Sequence, residues 1–353
     1  MLRIRNISDA FVPGYLLIFA CLFSCTQDEA EALPDERFQF KVPEFFPEPS
    51  YTFRNNPVTE AGFELGRKLF FDPILSRDST IACSSCHSQS VAFADPQHRL
   101  SIGINDRIGK RNAPPISNLA FQQRFFWDGG VTHVDFIPVN AIENEVEMDN
   151  DIATITEKLR NHQEYPEMFN QAFGGDTINS GRFLHALAQF TVMMISANSD
   201  YDKYLRGEKA LLDERALKGM NTFEQHCAPC HQGILFTSGG FENNGLDATF
   251  DKDTGRALVT ENDLDLGKFR VPSLRNVGLT APYMHDGRLA TLMDVLDHYS
   301  DGVKVSPTLS PQLRQGDQLG IPLTIEEKQN LVSFLETLSD HEFINDTRFF
   351  GSR

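Results

Sequence analysis

The amino-acid sequence predicts a mostly α-helical protein folded as two domains. Its 353 residues exceed the size of one small domain and suit two of ordinary size. Apolar residues recur at helical spacing along much of the chain, whereas the alternation typical of strands is scarce. One short motif of cysteine and histidine also occurs twice, once in each half. Together these observations favour a helical fold in which each domain carries one copy of the motif.

The repeated motif is Cys-x-x-Cys-His, which stands at residues 83–87 and 227–231. It is the attachment signature of c-type haem, in which two thiols form thioethers with the haem and the histidine ligates iron. A redox dithiol or half of a zinc site would explain a single copy. Two copies, in a chain with no other cysteine beyond residue 25, disfavour both interpretations. The sequence therefore predicts two cytochrome c-like domains, each with one covalently bound c-type haem, held by Cys83, Cys86 and His87 and by Cys227, Cys230 and His231.

The first 25 residues predict a secretory signal peptide. Two arginines precede an apolar stretch that is too short to span a bilayer as a permanent helix. Residues 22–25 (LFSC) resemble a bacterial lipobox, in which Cys25 would be acylated, and a plain secretory leader is the alternative. Residues 26–55 are acidic and contain proline, which predicts a tether. The protein is therefore predicted to work in the periplasm, with an N-terminal lipid as its membrane contact.

An N-terminal haem domain is predicted for residues 56–205. Its first helix ends at Asp72-Pro73, and a long loop rich in Gly, Pro and Asn follows at 95–118. The helices predicted from apolar spacing are 61–71, 151–170 and 181–195, the last with a core-facing stripe of Phe183, Leu184, Leu187, Phe190 and Met194.

A C-terminal haem domain is predicted for residues 206–345, after a polar junction at 196–202. Its predicted helices are 214–226, which runs into the second motif, 290–299 and 325–339.

The charge of the chain limits its partners. Its 49 acidic and 32 basic residues give a formal net charge of −17, which argues against nucleic acid or an anionic membrane surface as the main partner. A small electron carrier with a basic docking face is compatible with this charge.

Several short segments, in this order around the two haem motifs, resemble the bacterial dihaem cytochrome c peroxidase and MauG family. The similar region runs from about residue 61 to 338. In this family the N-terminal haem meets peroxide and the C-terminal haem stores or relays electrons. The segments are 65–73 (LGRKLFFDP), 112–114 (NAP), 126–129 (FWDG), 146–148 (VEM), 271–276 (VPSLRN) and 280–287 (TAPYMHDG).

The resemblance implies a peroxide site at the first haem, with His87 as the proximal ligand. Many members close the distal side with a histidine, at a position where this chain has Ile104. Isoleucine cannot ligate iron, so the resemblance implies an open site that needs no reductive activation. His98 is an alternative ligand if the loop follows another path.

The resemblance also assigns Glu147 and Trp127. Glu147 matches the carboxylate that moves protons during peroxide cleavage; the alternative is an ordinary exposed side chain beside Glu143 and Glu145. Trp127, the only tryptophan, matches the aromatic residue between the haems, and its alternative is a core side chain. Ile137 stands where the family often has a glutamine near the peroxide.

Tyr299 is the implied sixth ligand of the second haem. It lies fourteen residues after His285, where peroxidases of the family usually have Met and MauG-like members have Tyr. A phenolate favours oxidised over reduced iron. The alternatives are Met284, Met293 and His298.

The family also holds a calcium ion between the haems. The resemblance implies the side-chain oxygen of Asn112 and the backbone carbonyls of Thr280 and Pro282 as its ligands. Oxygen-only ligation suits this hard cation.

These features favour a cytochrome c peroxidase-type oxidoreductase that reduces hydrogen peroxide to water. Its electrons would come from a small redox protein such as a cytochrome c or a cupredoxin. One alternative is a MauG-like oxidase that acts on a partner protein through high-valent haem. Another is a dihaem electron-transfer cytochrome without peroxide chemistry. The sequence leaves open whether the chain forms a homodimer.

Overall fold

The computed structural model describes residues 35–208 and 212–351. The predicted signal peptide, with the acylation predicted at Cys25, lies outside these residues. None of the helices in the described ranges is long and apolar enough to cross a membrane.

The described chain is mostly helical, as predicted. Its four strands form two separate antiparallel pairs of two residues per strand. The helices are α1 (Glu60–Phe71), α2 (Ile137–Glu143), α3 (Ile152–Arg160), α4 (Tyr165–Phe173), α5 (Ser180–Val192), α6 (Asp200–Leu205), α7 (Glu214–His226), α8 (Ala257–Thr260), α9 (Leu292–Asp297) and α10 (Ile325–Glu336), and the strands are β1 (Phe241–Glu242), β2 (Phe269–Arg270), β3 (Arg314–Gln315) and β4 (Gln318–Leu319).

The side chains around α1 and α5 form one hydrophobic cluster, here called the first core. Thr59 caps the start of α1 through its side chain, and Asp72 ends the helix just before Pro73. The two helices meet at Gly66, where an added Cβ would strike the carbonyl oxygen of Ala186. This close approach buries the predicted stripe on α5, which packs the phenylalanine-rich centre of the cluster.

A second hydrophobic cluster, here called the second core, forms around α7 and α10. The helices again meet at a glycine, since a Cβ on Gly219 would strike the carbonyl oxygen of Asn330. Phe223 and Phe334 pack against each other beside this crossing, with ring centroids 5.2 Å apart. Each haem motif therefore lies beside a hydrophobic core in which two helices pack closely at a glycine.

Two distant segments complete the first core. Phe38 and Tyr51, which belong to the stretch predicted as a tether, are buried against it. Phe343 and Phe349 also pack there, although they follow the second core in sequence. Residues 35–55 are thus folded on the body because their aromatic side chains have apolar surface to bury.

One predicted helix is interrupted in the structure. The segment 151–170 forms two helices, α3 and α4, because Asn161 caps the end of α3 and Pro166 opens α4 in its first turn.

The predicted junction at 196–202 is pinned by hydrogen bonds. Asp340 accepts from Ser196, Ala197 and Asn198, and Asn118 pairs with Ser196. The boundaries predicted for the two domains, 56–205 and 206–345, stay a prediction.

Candidate haem centres

The first motif forms a tight turn beside the first core. Residues Cys83–Ser85 make a single 3₁₀ turn, and the backbone N–H of His87 donates to the carbonyl of Cys83. The His87 Nδ1 lies 2.8 Å from the carbonyl oxygen of Phe93. Because a carbonyl can only accept, Nδ1 carries the proton and Nε2 keeps its lone pair. The imidazole is therefore held in the tautomer that can ligate iron.

The second motif repeats this arrangement. Helix α7 ends at His226, and the motif begins at the next residue. The His231 Nδ1 lies 3.1 Å from the carbonyl oxygen of Phe236. Phe93 and Phe236 both have positive φ angles, of 60° and 52°. Such angles are unfavourable for bulky side chains and indicate that the surrounding packing imposes both turns.

Burial raises the pKa of all four thiols. Burial raises the pKa of Cys83 to about 12 and that of Cys86 to about 11. It also raises the pKa of Cys227 to about 12. Redox and metal-binding cysteines need a lowered pKa, so these values disfavour a dithiol switch.

A cavity of ≈ 220 Å³ lies beside the second motif. Cys227, Cys230 and His231 line it, together with Tyr299. Thiols, an imidazole, a phenol and apolar walls are what a covalently bound haem requires, so these residues fit that group. Its apolar walls include Phe223, Val271, Val295, Leu296, Leu331 and Leu335.

The cavity brings together two of the four predicted sixth ligands, Tyr299 and Met284. Tyr299 stands in a π-helical turn, His298–Gly302, directly after α9, and burial raises its pKa to about 12. His298 donates from Nε2 to the carbonyl oxygen of Asn244 at 3.0 Å, which leaves that nitrogen without a lone pair for iron. Neither His298 nor Met293 is among the described residues that line the cavity.

Near the first motif, the structure joins the segments that carry Ile104 and Glu147. The backbone N–H of Ile104 donates to the carbonyl oxygen of Glu147 at 2.8 Å. Gly103 permits this approach, because an added Cβ would strike the backbone at Val146 and Glu147. The Ile104 side chain is buried, and its loop lies against the motif, with the Ile102 carbonyl 3.9 Å from the Cys86 Sγ.

Glu147 differs from the two glutamates beside it. Glu143 and Glu145 are exposed, whereas Glu147 is half-buried and its Oε1 accepts a hydrogen bond of 2.7 Å from Asn144. Burial raises the pKa of Glu147, while the Asn144 amide acts in the opposite direction. Its charge also raises the pKa of Cys86, which places the carboxyl group near the first motif. A half-buried carboxyl group whose pKa is raised can serve as a general acid and base.

Trp127 lines the cavity of the second centre and is anchored at both ends. Its Nε1 donates to the carbonyl oxygen of Asn112 at 2.9 Å, and its own carbonyl accepts from the Arg270 backbone at 2.7 Å. The Asn112 backbone in turn donates to the carbonyl of His285, whose ring stacks on Phe269 at 3.8 Å. The indole is therefore fixed at the wall of the cavity rather than within a core.

The structure places the three predicted calcium ligands at the cavity of the second centre. Asn112, Thr280 and Pro282 all line the same cavity. The Asn112 amide nitrogen donates to the Arg99 carbonyl at 3.1 Å, which leaves its side-chain oxygen facing elsewhere. An oxygen-only set of one amide and two carbonyls fits calcium, and water would complete its coordination.

Two further predicted residues have other partners. The His98 Nδ1 lies 3.1 Å from the Asp95 Oδ2. This nitrogen is therefore engaged by the carboxylate and is not available to ligate iron. Ile137 begins α2 and packs against the first core.

The comparisons with known proteins agree with this construction. Residues 60–210 match the family model of the di-haem cytochrome c peroxidase. The methylamine utilization protein MauG of Methylorubrum extorquens is 32% identical over 303 residues, which cover 85% of this chain and 83% of that protein. The chain belongs to the dihaem cytochrome c peroxidase and MauG family. The cytochrome c551 peroxidase of Pseudomonas aeruginosa is 32% identical over 326 residues, covering 90% of this chain and 89% of that protein.

Solved structures of the family superpose well. A MauG-like protein associated with microbial copper homeostasis has a TM-score of 0.79 and 32% identity, and covers 88% of this chain and 98% of its own. The diheme peroxidase BthA of Burkholderia thailandensis has a TM-score of 0.70 at 21% identity, covering 86% and 91%, and shares the fold.

Family membership confirms the predicted fold class, the two c-type haems and a peroxidase-type oxidoreductase. The relatives carry two names, MauG and cytochrome c peroxidase, so the family alone leaves the specific activity open.

Sequence reasoning missed four residues of this dihaem protein. The carbonyls of Phe93 and Phe236 orient the two histidines of the motifs. Asn144 donates to the carboxylate of Glu147. The carbonyl of Asn244 accepts from His298, the residue before Tyr299. The two phenylalanines follow their histidines by six and five residues, a recurrence that was visible in the sequence. Nothing in the sequence marked either asparagine.

Proposed function

We propose that this chain is an exported dihaem peroxidase that reduces hydrogen peroxide to water. In the overall reaction the O–O bond breaks, two electrons and two protons are taken up, and both oxygens leave as water. The electrons would come singly from a small redox protein such as a cytochrome c or a cupredoxin.

The observation that carries this proposal is the state of Glu147. Its Oε1 is engaged by Asn144, whereas its Oε2 accepts no hydrogen bond from a described residue. The raised pKa of Glu147 suits a group that first takes a proton from one peroxide oxygen and then gives it to the other. A simple electron-transfer cytochrome has no use for a half-buried carboxyl group here.

His87 would hold the haem of this first centre, which supplies the iron at which peroxide is reduced. Ile104 is buried and offers no ligand atom. An iron held by His87 would therefore remain accessible to peroxide. Cys83 and Cys86 would attach the haem covalently.

His231 and Tyr299 would hold the second haem, and Trp127 stands at its wall. The indole would carry an electron from the second centre toward the first. The calcium ion would be held by Asn112, Thr280 and Pro282, and it would tie the Asn112 segment, on which Trp127 rests, to the second centre.

The test follows peroxide consumption by the holoprotein with reduced cytochrome c as donor. We expect two donor molecules to be oxidised for each peroxide consumed, without prior reduction of the protein. A protein that transfers electrons but leaves peroxide intact would overturn the proposal in favour of the electron-transfer cytochrome.

A second candidate, a MauG-like oxidase of a partner protein, is favoured by Tyr299. This residue lines the cavity beside His231, and a phenolate ligand resists reduction of its iron. Replacing Tyr299 with Met supplies a soft neutral ligand, so redox titration should show a higher potential at the second haem alone. The oxidase function predicts that peroxide oxidises a partner protein faster than it oxidises cytochrome c.

A further inference from the structure

The residues that compete for the second haem iron meet at Asn244. This residue follows β1 in the loop 243–246 and lines the same cavity as Tyr299 and Met284. Its Nδ2 lies 3.2 Å from the Met284 Sδ, and its carbonyl oxygen accepts from the His298 Nε2. One residue thus contacts two of the alternatives directly.

The orientation of the Asn244 amide follows from its partners. The backbone N–H of Leu246 donates to the side-chain oxygen of Asn244 at 3.2 Å, and only the oxygen can accept. The NH₂ group is therefore directed at Met284, and a thioether sulfur accepts such a bond weakly.

Hydrogen bonds to neighbouring segments hold the loop that carries Asn244. The side chain of Asn243 is buried and donates to Ser306 and Thr308 at 2.9 Å each. The Gly245 carbonyl accepts from the Lys304 backbone at 2.8 Å. These bonds hold the residues on both sides of Asn244, and the Leu246 N–H engages its side-chain oxygen.

We propose that Asn244 is a positioning residue that selects Tyr299 over Met284 as the sixth ligand of the second haem. Its amide holds the Met284 sulfur by a hydrogen bond of 3.2 Å, and Tyr299 lines the same cavity. Its carbonyl engages the Nε2 of His298, a residue outside the described lining of that cavity. This inference rests on the proposed role of Tyr299, and it names the group that keeps a soft ligand in the same cavity away from iron.

The test removes Tyr299 first and Asn244 second, in the holoprotein. Tyr299→Phe should give a five-coordinate, high-spin second haem, because Met284 stays bound to Asn244. Tyr299→Phe combined with Asn244→Leu should release Met284 and give a low-spin haem with the sulfur-to-iron absorption band of methionine ligation. Adding Met284→Leu should restore the high-spin state. Asn244→Asp keeps the acceptor for Leu246 but lacks the N–H donors, and it replaces Asn244→Leu if that variant does not fold.

The spectra separate the outcomes. A double variant with the same spin-resonance and absorption spectra as Tyr299→Phe would overturn the role of Asn244 and leave Tyr299 as the ligand. A Tyr299→Phe protein with the wild-type spectrum would overturn both the ligand and its selection by Asn244. Peroxide consumption by the wild-type holoprotein, measured in parallel, reports on the proposed function independently of these spectra. In the double variant we also expect the ratio of reduced to oxidised second haem, measured at the wild-type midpoint potential, to rise at least tenfold.

Discussion

Glu147 and Glu145 are two positions apart, yet only Glu147 lies beside the first motif with its carboxyl group held by a neighbour. Glu147→Gln keeps the size of the side chain but cannot take up a proton. We expect peroxide reduction to slow by about 10²- to 10⁴-fold, with both haems still attached. Glu145→Gln is the matched control and should leave the rate unchanged. Equal rates for wild type and Glu147→Gln would return Glu147 to a structural role.

The pH dependence of peroxide reduction follows from the same carboxyl group. Burial raises the pKa of Glu147, and the group must be deprotonated to accept the peroxide proton, so the rate should fall as pH drops through that pKa. Asn144→Leu removes a donor that favours the charged form. Its acid limb should move to higher pH, because the loss of this hydrogen bond leaves only the effect of burial, which favours the neutral form. A rate profile with the same acid limb in wild type and Asn144→Leu would contradict this account.

Ile104 should determine the coordination of the first iron. We expect a high-spin, five-coordinate ferric haem at His87 in the protein as purified, which spin resonance can detect. Ile104→His should supply a sixth ligand and convert this signal to low spin, with slower reaction with peroxide. Ile104→Val, which adds no ligand atom, is the control. Low-spin signals alone from both haems of the wild type would show that another residue closes the site.

Residues that belong to a fixed local motif could be predicted from the sequence. The residues that orient them could not. The two motifs name their cysteines and histidines without knowledge of the fold. Glu147 could be singled out only by the resemblance to the family, because Glu143 and Glu145 beside it are equally acidic. Asn144 and Asn244 could not be found, because an asparagine gains such a role only from the side chains that folding brings to it.

At the scale of elements, the two glycine crossings should tolerate no side chain. Gly66→Ala and Gly219→Ala would each place a Cβ against a backbone carbonyl of the facing helix. We expect each to lower the free energy of unfolding by about 1–3 kcal/mol, despite the better helix propensity of alanine. Gly181→Ala is the control, because Gly181 is exposed in the first turn of α5 and an added Cβ meets only Asn179 at 3.4 Å. Denaturant unfolding measures all three.

Helix positions were more predictable than helix ends and interruptions. α1, α5, α7 and α10 follow the apolar spacing because each lays one stripe on a core. The break between α3 and α4 depends on how a turn is accommodated at Asn161. The π-helical turn that carries Tyr299 depends on hydrogen bonds from outside its own segment, such as that from the Ile321 backbone to the Tyr299 carbonyl. Periodicity contains no information on either.

At the scale of the whole molecule, the formal charge of −17 should control how fast a redox partner arrives. With a basic cytochrome c as donor, the second-order rate of electron transfer should fall about tenfold as ionic strength rises from low to well above physiological, because salt screens the attraction. A small uncharged reductant serves as the control and should show almost no change. A donor rate that does not depend on salt would mean that charge plays no part in recognition.

The return of Phe343 and Phe349 to the first core gives the chain an order of assembly. Both rings pack on Phe93, with centroids 5.6 Å and 6.2 Å away, and the carbonyl of Phe93 is the group that orients His87. A ribosome makes the first haem motif some 250 residues before it makes these two rings. The turn that orients His87 therefore gains this support only after the end of the chain has been made and has folded back onto Phe93. A chain that ends before Phe343 should accordingly hold His87 less firmly, although it retains the whole first motif.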